Sequence, residues 1–299
     1  MMVLNVKNLI ALENKILFKV DNEIITSIDI YNEVKFLKVF NPEMNNLNDI
    51  ELFEISKNSI LREKIKKIEI KNFVKELKVD DKYILNLIKK KYSKMRINSL
   101  ENLEDYLKDK NLKMENVKEK FTIELIWNDL IYQKFYEKII IDKEKIRKEI
   151  MQNPSADQLR EILLSEIVFN VNNKDEFDEK YERILLDIKN QGFKKTALMY
   201  SNSETAANGG LIGWVKENNL NQNIKKIISE LKPGELTKPI RTSSGFIILK
   251  IDEEKNYESK SNLDDKVRQA VNFKINDQLN QFSNMYFNKL KKSMIIHGL

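Results

Sequence analysis

Backbone breakers are rare in this chain: its 299 residues include only 7 glycines and 4 prolines. Glycine supplies positive φ at little cost, and proline cannot continue a helix. A chain poor in both has few turns forced by backbone chemistry. Long helices are therefore expected over most of its length. Apolar residues make up 41% and charged residues 33%. Such a chain can bury a core, but its surface must be heavily charged. Its length suits about two domains.

Residues 15–26, KILFKVDNEIIT, place two β-rich runs around Asp21-Asn22, as in a tight hairpin. Thr26 or Ser27 can cap a following helix, with Asp29 favourable in its first turn and Asn41-Pro42 closing it. Across 49–78 an apolar stripe of Ile50, Phe53, Ile60, Leu61, Ile65, Ile68, Phe73 and Leu77 predicts a long amphipathic helix. Further helices are expected from Asp80-Asp81 to Tyr92, over 99–109, from Met114 to Tyr136 and from Asp142 to about Gln152. Ile139-Ile140-Ile141 reads as a short extended piece.

The character changes after Asn153-Pro154. Residues 161–169 read as a strand, 174–190 and 193–200 as helices, 208–214 as a glycine-rich turn and 221–231 as a helix. Pro239-Ile240-Arg241 and Gly245–Ile251 read as two more strands. That order describes a small α+β domain. The chain is then polar through Ser261, helical from Leu263 to Lys292, and ends in a possible strand at 293–297.

Several functional classes are disfavoured. The net charge is +6, but 52 basic and 46 acidic residues are interleaved. A nucleic-acid binder gathers its basic residues into a patch. The densest runs here, Lys64-Ile65-Lys66-Lys67 and Lys89-Lys90-Lys91, sit in helical stretches as solvated faces, so no nucleic-acid partner is expected. The absence of cysteine excludes disulfides, thiol nucleophiles and Cys-ligated zinc. The single histidine, His297, has no second histidine to join it in metal or acid–base work and reads as a terminal surface side chain. There is no Walker-type phosphate loop. No cofactor and no metal are expected. No apolar run approaches the ~18 residues of a transmembrane helix, so stable membrane insertion is not expected. Asn8, Glu13, Asn14 and Lys15 interrupt the first twenty residues, which show no clean secretory signal.

Two strings carry a family resemblance: NGGLIGW at 208–214 and LKPGELTKPIRTSSGFIILKI at 231–251. Their glycines, prolines and hydrophobic positions are spaced as in parvulin-type peptidyl-prolyl isomerase domains, which this segment resembles. The flanks extend the likeness. A VDNEIITSID segment, a helical module, one parvulin-like domain and a C-terminal helix with a short final strand follow the order of SurA-type periplasmic chaperones. That family commonly carries two parvulin domains, whereas this chain has room for one. The resemblance implies an α+β protein in three parts: a helical chaperone module with a small β-hairpin at 15–152, a parvulin-like domain at 157–252, and a returning segment at 262–299 packed on the helical module. It further implies a periplasmic, ATP-independent chaperone. Its partners would be unfolded or extended polypeptides, outer-membrane proteins above all, held between helical module and parvulin domain.

Parvulins place two histidines across the groove, an Asp or Cys near the substrate and a Ser or Thr beside it. By the same resemblance those positions are Glu166, Ile247, Ser203 and Thr242, and only Thr242 is kept. Leu220 and Ile224 fall at the hydrophobic proline-pocket positions. Phe246 and Trp214 lie close in the pattern, with groove and core equally weighted. Isomerisation needs a polar network that favours a twisted amide over a planar one. The expectation is thus a catalytically degenerate domain in a retained peptide groove. The alternative is an active isomerase with a substituted site, and a third reading is a scaffold without clients.

Overall fold

The computed structural model describes residues 14–92, 99–152, 159–242, 245–257 and 262–298. The chain divides into two compact units, 1–134 together with 287–299, and 135–286.

In the first unit β1 (Ile16–Val20) and β2 (Glu23–Thr26) form an antiparallel hairpin. The turn residue Asp21 has φ +48°, a left-handed conformation that Asp tolerates better than most side chains. Thr26 then caps α1 (Ser27–Phe40). Its hydroxyl accepts from the Asp29 N–H at 3.3 Å, while the Asp29 carboxylate accepts from the Thr26 N–H at 2.8 Å. Asn48 and Glu51 repeat this arrangement at the start of α2 (Asp49–Lys71). The helix stops at Lys71, before the expected end at residue 78. Its buried face also differs from the expected stripe. Leu52, Ile55, Ile60, Leu61, Ile65 and Ile70 are buried, whereas Ile50 and Phe73 are 57% and 54% exposed. A wide apolar arc does not by itself say which edge the neighbouring helix covers.

Three more helices follow: α3 (Asp81–Tyr92), α4 (Leu100–Asp109), capped by Ser99, and α5 (Met114–Phe135). Ile84, Ile88, Leu103, Leu107 and Val117 join Val39 in one core cluster. Two lysines enter the interior with their counter-ions. Lys66 is fully buried, with Nζ 2.8 Å from Glu124 and 5.4 Å from the Trp127 ring centroid. Lys120 lies 2.6 Å from Glu33 and is also paired with Glu63.

The second unit opens with a short 3-10 turn at Tyr136–Lys138 and α6 (Lys143–Gln152). Ile139-Ile140-Ile141 connects the two, with Ile139 in an extended conformation. Then come β3 (Leu159–Phe169), α7 (Lys174–Gln191), α8 (Phe193–Tyr200), β4 (Leu211–Lys216), α9 (Gln222–Ser229), β5 (Ile240–Thr242) and β6 (Gly245–Tyr257). The strands form an antiparallel sheet in the order β4-β3-β6-β5. Two sequence expectations are corrected here. The glycine-rich turn ends at Gly210, and Leu211–Lys216 is a strand. The strand expected at Gly245–Ile251 runs on through the polar residues to Tyr257, paired against Leu159–Leu163. Backbone pairing there overrides a composition that reads as loop.

One face of this sheet packs Ile167, Phe169 and Ile248 against Ile184, Phe193 and Ala197 of α7 and α8. The other packs Ile162, Leu164, Val215, Leu249 and Ile251 against Ile228 of α9. The C-terminal helix α10 (Leu263–Ser293) has 31 residues, about 45 Å of rise. Its early residues Val267, Ala270 and Val271 cluster with Ile146 of α6. The helix belongs to the second unit as far as Tyr286 and to the first from Phe287. After it, β7 (Ile296–Gly298) pairs antiparallel with β1, Val20 opposite Ile296 and Phe18 opposite Gly298. His297 lies exposed on this strand.

Removal of residues 294–299 leaves β1 an open edge. The unfolding temperature of the first unit should fall by about 2–4 °C for each kcal/mol lost. Calorimetry of the truncated chain tests this, and an unchanged transition would mean that β7 contributes nothing to the unit.

Candidate functional site

The site is built on β3. Alternate residues of a strand face opposite sides, so Leu164 and Glu166 look to one face and Ile167 and Phe169 to the other. The Glu166 N–H donates to the Gly210 carbonyl at 2.8 Å. Gly210 has φ +83°, and a Cβ there would stand 2.2 Å from the Glu166 carbonyl oxygen. Only glycine permits this approach. The close return brings a row of hydroxyls to Glu166. The Thr205 hydroxyl donates to Glu166 Oε1 at 2.9 Å. Ser203 lies 2.7 Å behind Thr205, and Ser201 lies 2.9 Å behind Ser203. The Val168 N–H donates to Ser201 Oγ at 3.0 Å. Ser203 is thus a buried link in the row, not a wall of the groove. Thr205, which meets the carboxylate, was not singled out from the sequence. The alternating Ser201, Ser203 and Thr205 were the available signal.

Beside Glu166 lies a cleft of about 650 Å3. Its floor includes Leu164, Val215, Ile247 and Leu249, and Leu220 and Ile224 stand at its side. Four residues singled out in the sequence, Glu166, Ile247, Leu220 and Ile224, are therefore brought together. Three are not. Phe246 neighbours Ile247 on β6 and so points to the opposite face, where its ring lies 5.8 Å from Phe169 and 4.5 Å from Phe177. Trp214 neighbours Val215 on β4, is 37% exposed, and has the Lys255 ammonium 3.9 Å from its ring centroid. Thr242 donates to the Gly245 carbonyl at 3.0 Å and ties the end of β5 to the start of β6.

Burial pushes the Glu166 carboxyl above the ordinary carboxylate range, and the facing Asp277 of α10 pushes it the same way, against the pull of Thr205 and Ser203. Asp277 is also raised by its surroundings, although it keeps an open face to solvent. Asp142 and Lys145 line the same cleft, where Lys274 and Glu149 approach to 3.7 Å. Ile247 offers an amide no hydrogen bond. Among the described residues, no group of three or more His, Cys, Asp or Glu side chains is arranged to hold a metal.

Residues 162–253 match the rotamase family model, described as the PPIC-type PPIase domain. The SurA chaperone of Pseudomonas putida is 29% identical over 166 residues, which cover 52% of this chain and 39% of that protein. The foldase PrsA of Geobacillus kaustophilus is 27% identical over 52% of this chain and 57% of its own length. This chain thus matches about two fifths of the length of its SurA relatives. Among solved structures, an isolated PpiC-type isomerase domain aligns over 34% of this chain and 96% of its own, with 28% identity and a TM-score of 0.31. A SurA-like chaperone structure from Campylobacter jejuni aligns over 96% of this chain and 99% of its own, with 18% identity and a TM-score of 0.39. In sequence, then, the chain is similar to SurA chaperones over about half its length and matches the PPIC-type model over one segment.

A carboxyl whose folded pKa lies above its unfolded value holds its proton more firmly in the folded state. Its contribution is favourable at low pH and is lost as pH rises from the unfolded value through the folded one. Glu166→Gln keeps an acceptor for Thr205 and removes the titration. Relative to the parent, it should stabilise the second unit more at about pH 8 than at about pH 4. Melting curves at both pH values check this, and equal changes at the two would contradict it.

Proposed function

We propose that this protein is an ATP-independent folding chaperone whose parvulin-like domain retains a peptide groove without efficient isomerase chemistry. The observation that carries this reading is Ile247 beside Glu166 on the cleft floor, in a unit that contains no histidine. Leu220 and Ile224 preserve apolar surface beside that floor. The similarity to SurA chaperones supports unfolded polypeptides as clients. Outer-membrane proteins and a periplasmic location are the finer form of the same proposal. No helix among the described residues is long and apolar enough to cross a membrane. The sequence division at 15–152, 157–252 and 262–299 is kept only as a division of roles, because residues 135–152 and 262–286 group with the parvulin-like segment in one compact unit. The helical module binds clients, because long apolar stripes between charged flanks hold unfolded segments without strict sequence preference. Clients pay ordering entropy on binding, so affinities on the order of micromolar are expected.

One observation favours a second reading, an isomerase with a substituted site. Glu166 is half-buried, its carboxyl is pushed up by desolvation and it is hydrogen-bonded to Thr205, and a protonated carboxyl can donate to an amide. A prolyl-peptide turnover assay separates the two. The chaperone reading expects a rate about 100-fold or more below an active parvulin, the loss typical of a missing acid–base group. Comparable turnover would establish the second reading. Replacement of residues 157–252 by a short flexible linker should leave suppression of client aggregation largely intact. Complete loss of holding by a folded variant would move the client site to the parvulin-like domain.

A further inference from the structure

The cleft is not bordered by the parvulin-like domain alone. Along α10, Phe273, Lys274, Asp277, Gln278 and Gln281 form its opposite wall. Phe273 packs against the apolar cluster of Ile162, Leu164, Val215 and Leu249, in the company of Leu220 and Ile224. It is the one aromatic side chain among the described residues that line the cleft. We infer that Phe273 is a built-in occupant of the hydrophobic pocket at Leu220 and Ile224, and that a polypeptide entering this groove must first displace its ring. The inference rests on the reading of this cleft as a peptide groove.

The way α10 is seated makes such displacement feasible. The helix is anchored on both sides of Phe273 by contacts that do not involve Leu220 or Ile224. Before it, Val267, Ala270 and Val271 cluster with Ile146, and Gln269 accepts from Lys216. Beyond it, the Gln278 amide meets the Ile140 carbonyl at 3.1 Å and the Ile140 N–H at 3.3 Å. Ser283 donates to Glu204 at 3.0 Å. The ring can therefore swing out while the helix stays docked. Close to Phe273 the cover is loose. The cleft of about 650 Å3 remains open between helix and sheet, with the Asp277 and Glu166 carboxyls both on its lining, and the 3.7 Å pair of Lys274 with Glu149 is partly exposed and weak. An occupant held chiefly by one ring lowers apparent affinity by the fraction of time the pocket is vacant.

The test is methyl NMR on the full chain with labelled isoleucines, titrated with an extended fluorescein-tagged peptide that carries one Phe-Pro pair. In the parent, peptide should shift the Ile212, Ile224 and Ile247 methyls only at high concentration. Phe273→Ala should bind the same peptide about tenfold tighter or more, with shifts at the same methyls. Phe273→Leu, which keeps an apolar side chain and guards against misfolding, should lie between the two. Equal affinity in all three, with shifts in the groove, overturns the built-in occupant and leaves the groove reading standing. Peptide binding without shifts at these methyls in any of the three sinks the groove reading, and the inference with it.

Discussion

The second unit depends on the register of β3 against β6. Glu166 lies opposite Leu249, and Phe169 opposite Phe246. A slip of one residue would exchange the faces, turning Glu166 into the helix-packed core and Phe169 into the cleft. Two close approaches oppose such a slip. Gly210 sits where a Cβ would strike the Glu166 carbonyl at 2.2 Å, and Gly245 where one would meet the Phe169 carbonyl at 2.6 Å. The glycines that mark the family pattern therefore act on the position of the site through backbone contact, with no side chain of their own.

In the first unit the comparable constraint is buried charge. Burial alone would lower the Lys120 pKa, but Glu33 and Glu63 outweigh it and hold the ammonium above its usual range. Burial pushes the Glu63 carboxyl up. The Ser59 hydroxyl donates to Glu33 at 2.6 Å. Such a group adds little net stability over apolar replacements, but a packing that separates its members strands a charge in the interior. It therefore disfavours alternative arrangements of α1, α2 and α5, whose apolar stripes are broad enough to pack in more than one way.

The cleft shows how far a family pattern can be carried without coordinates. Composition excludes a histidine pair, and the two residues that the family resemblance puts at the histidine positions, Glu166 and Ile247, line one cleft. Leu220 and Ile224 were placed by the same resemblance. Phe246 and Trp214 were not, although period-2 alternation bears on both once Ile247 and Val215 are known to face the cleft. Thr205 escaped because its role arises from a loop folding back on β3, and the alternating hydroxyls of Ser201, Ser203 and Thr205 do not say which strand they meet. Phe273 escaped for a related reason. In the sequence it is one of many apolar residues along α10, and its distance in the chain from Leu220 and Ile224 hides that all three pack on one apolar cluster.

What the sequence determined by itself was mostly local. Asp21-Asn22 set the hairpin, Thr26 with Asp29 and Asn48 with Glu51 set two helix starts, and the apolar periods set most helices and the main strands. These follow from short-range hydrogen bonds and from the 3.6- and 2-residue repeats that any observer of the chain can count. Tertiary structure decided the rest. It chose which edge of the α2 stripe is buried, drew the polar residues 253–257 into β6, and divided the 31 residues of α10 between two units. It also set Phe273 on the lining of the cleft. Each of these outcomes depends on surfaces brought together from distant parts of the chain, and burial is a property of the pair of surfaces, not of either one alone.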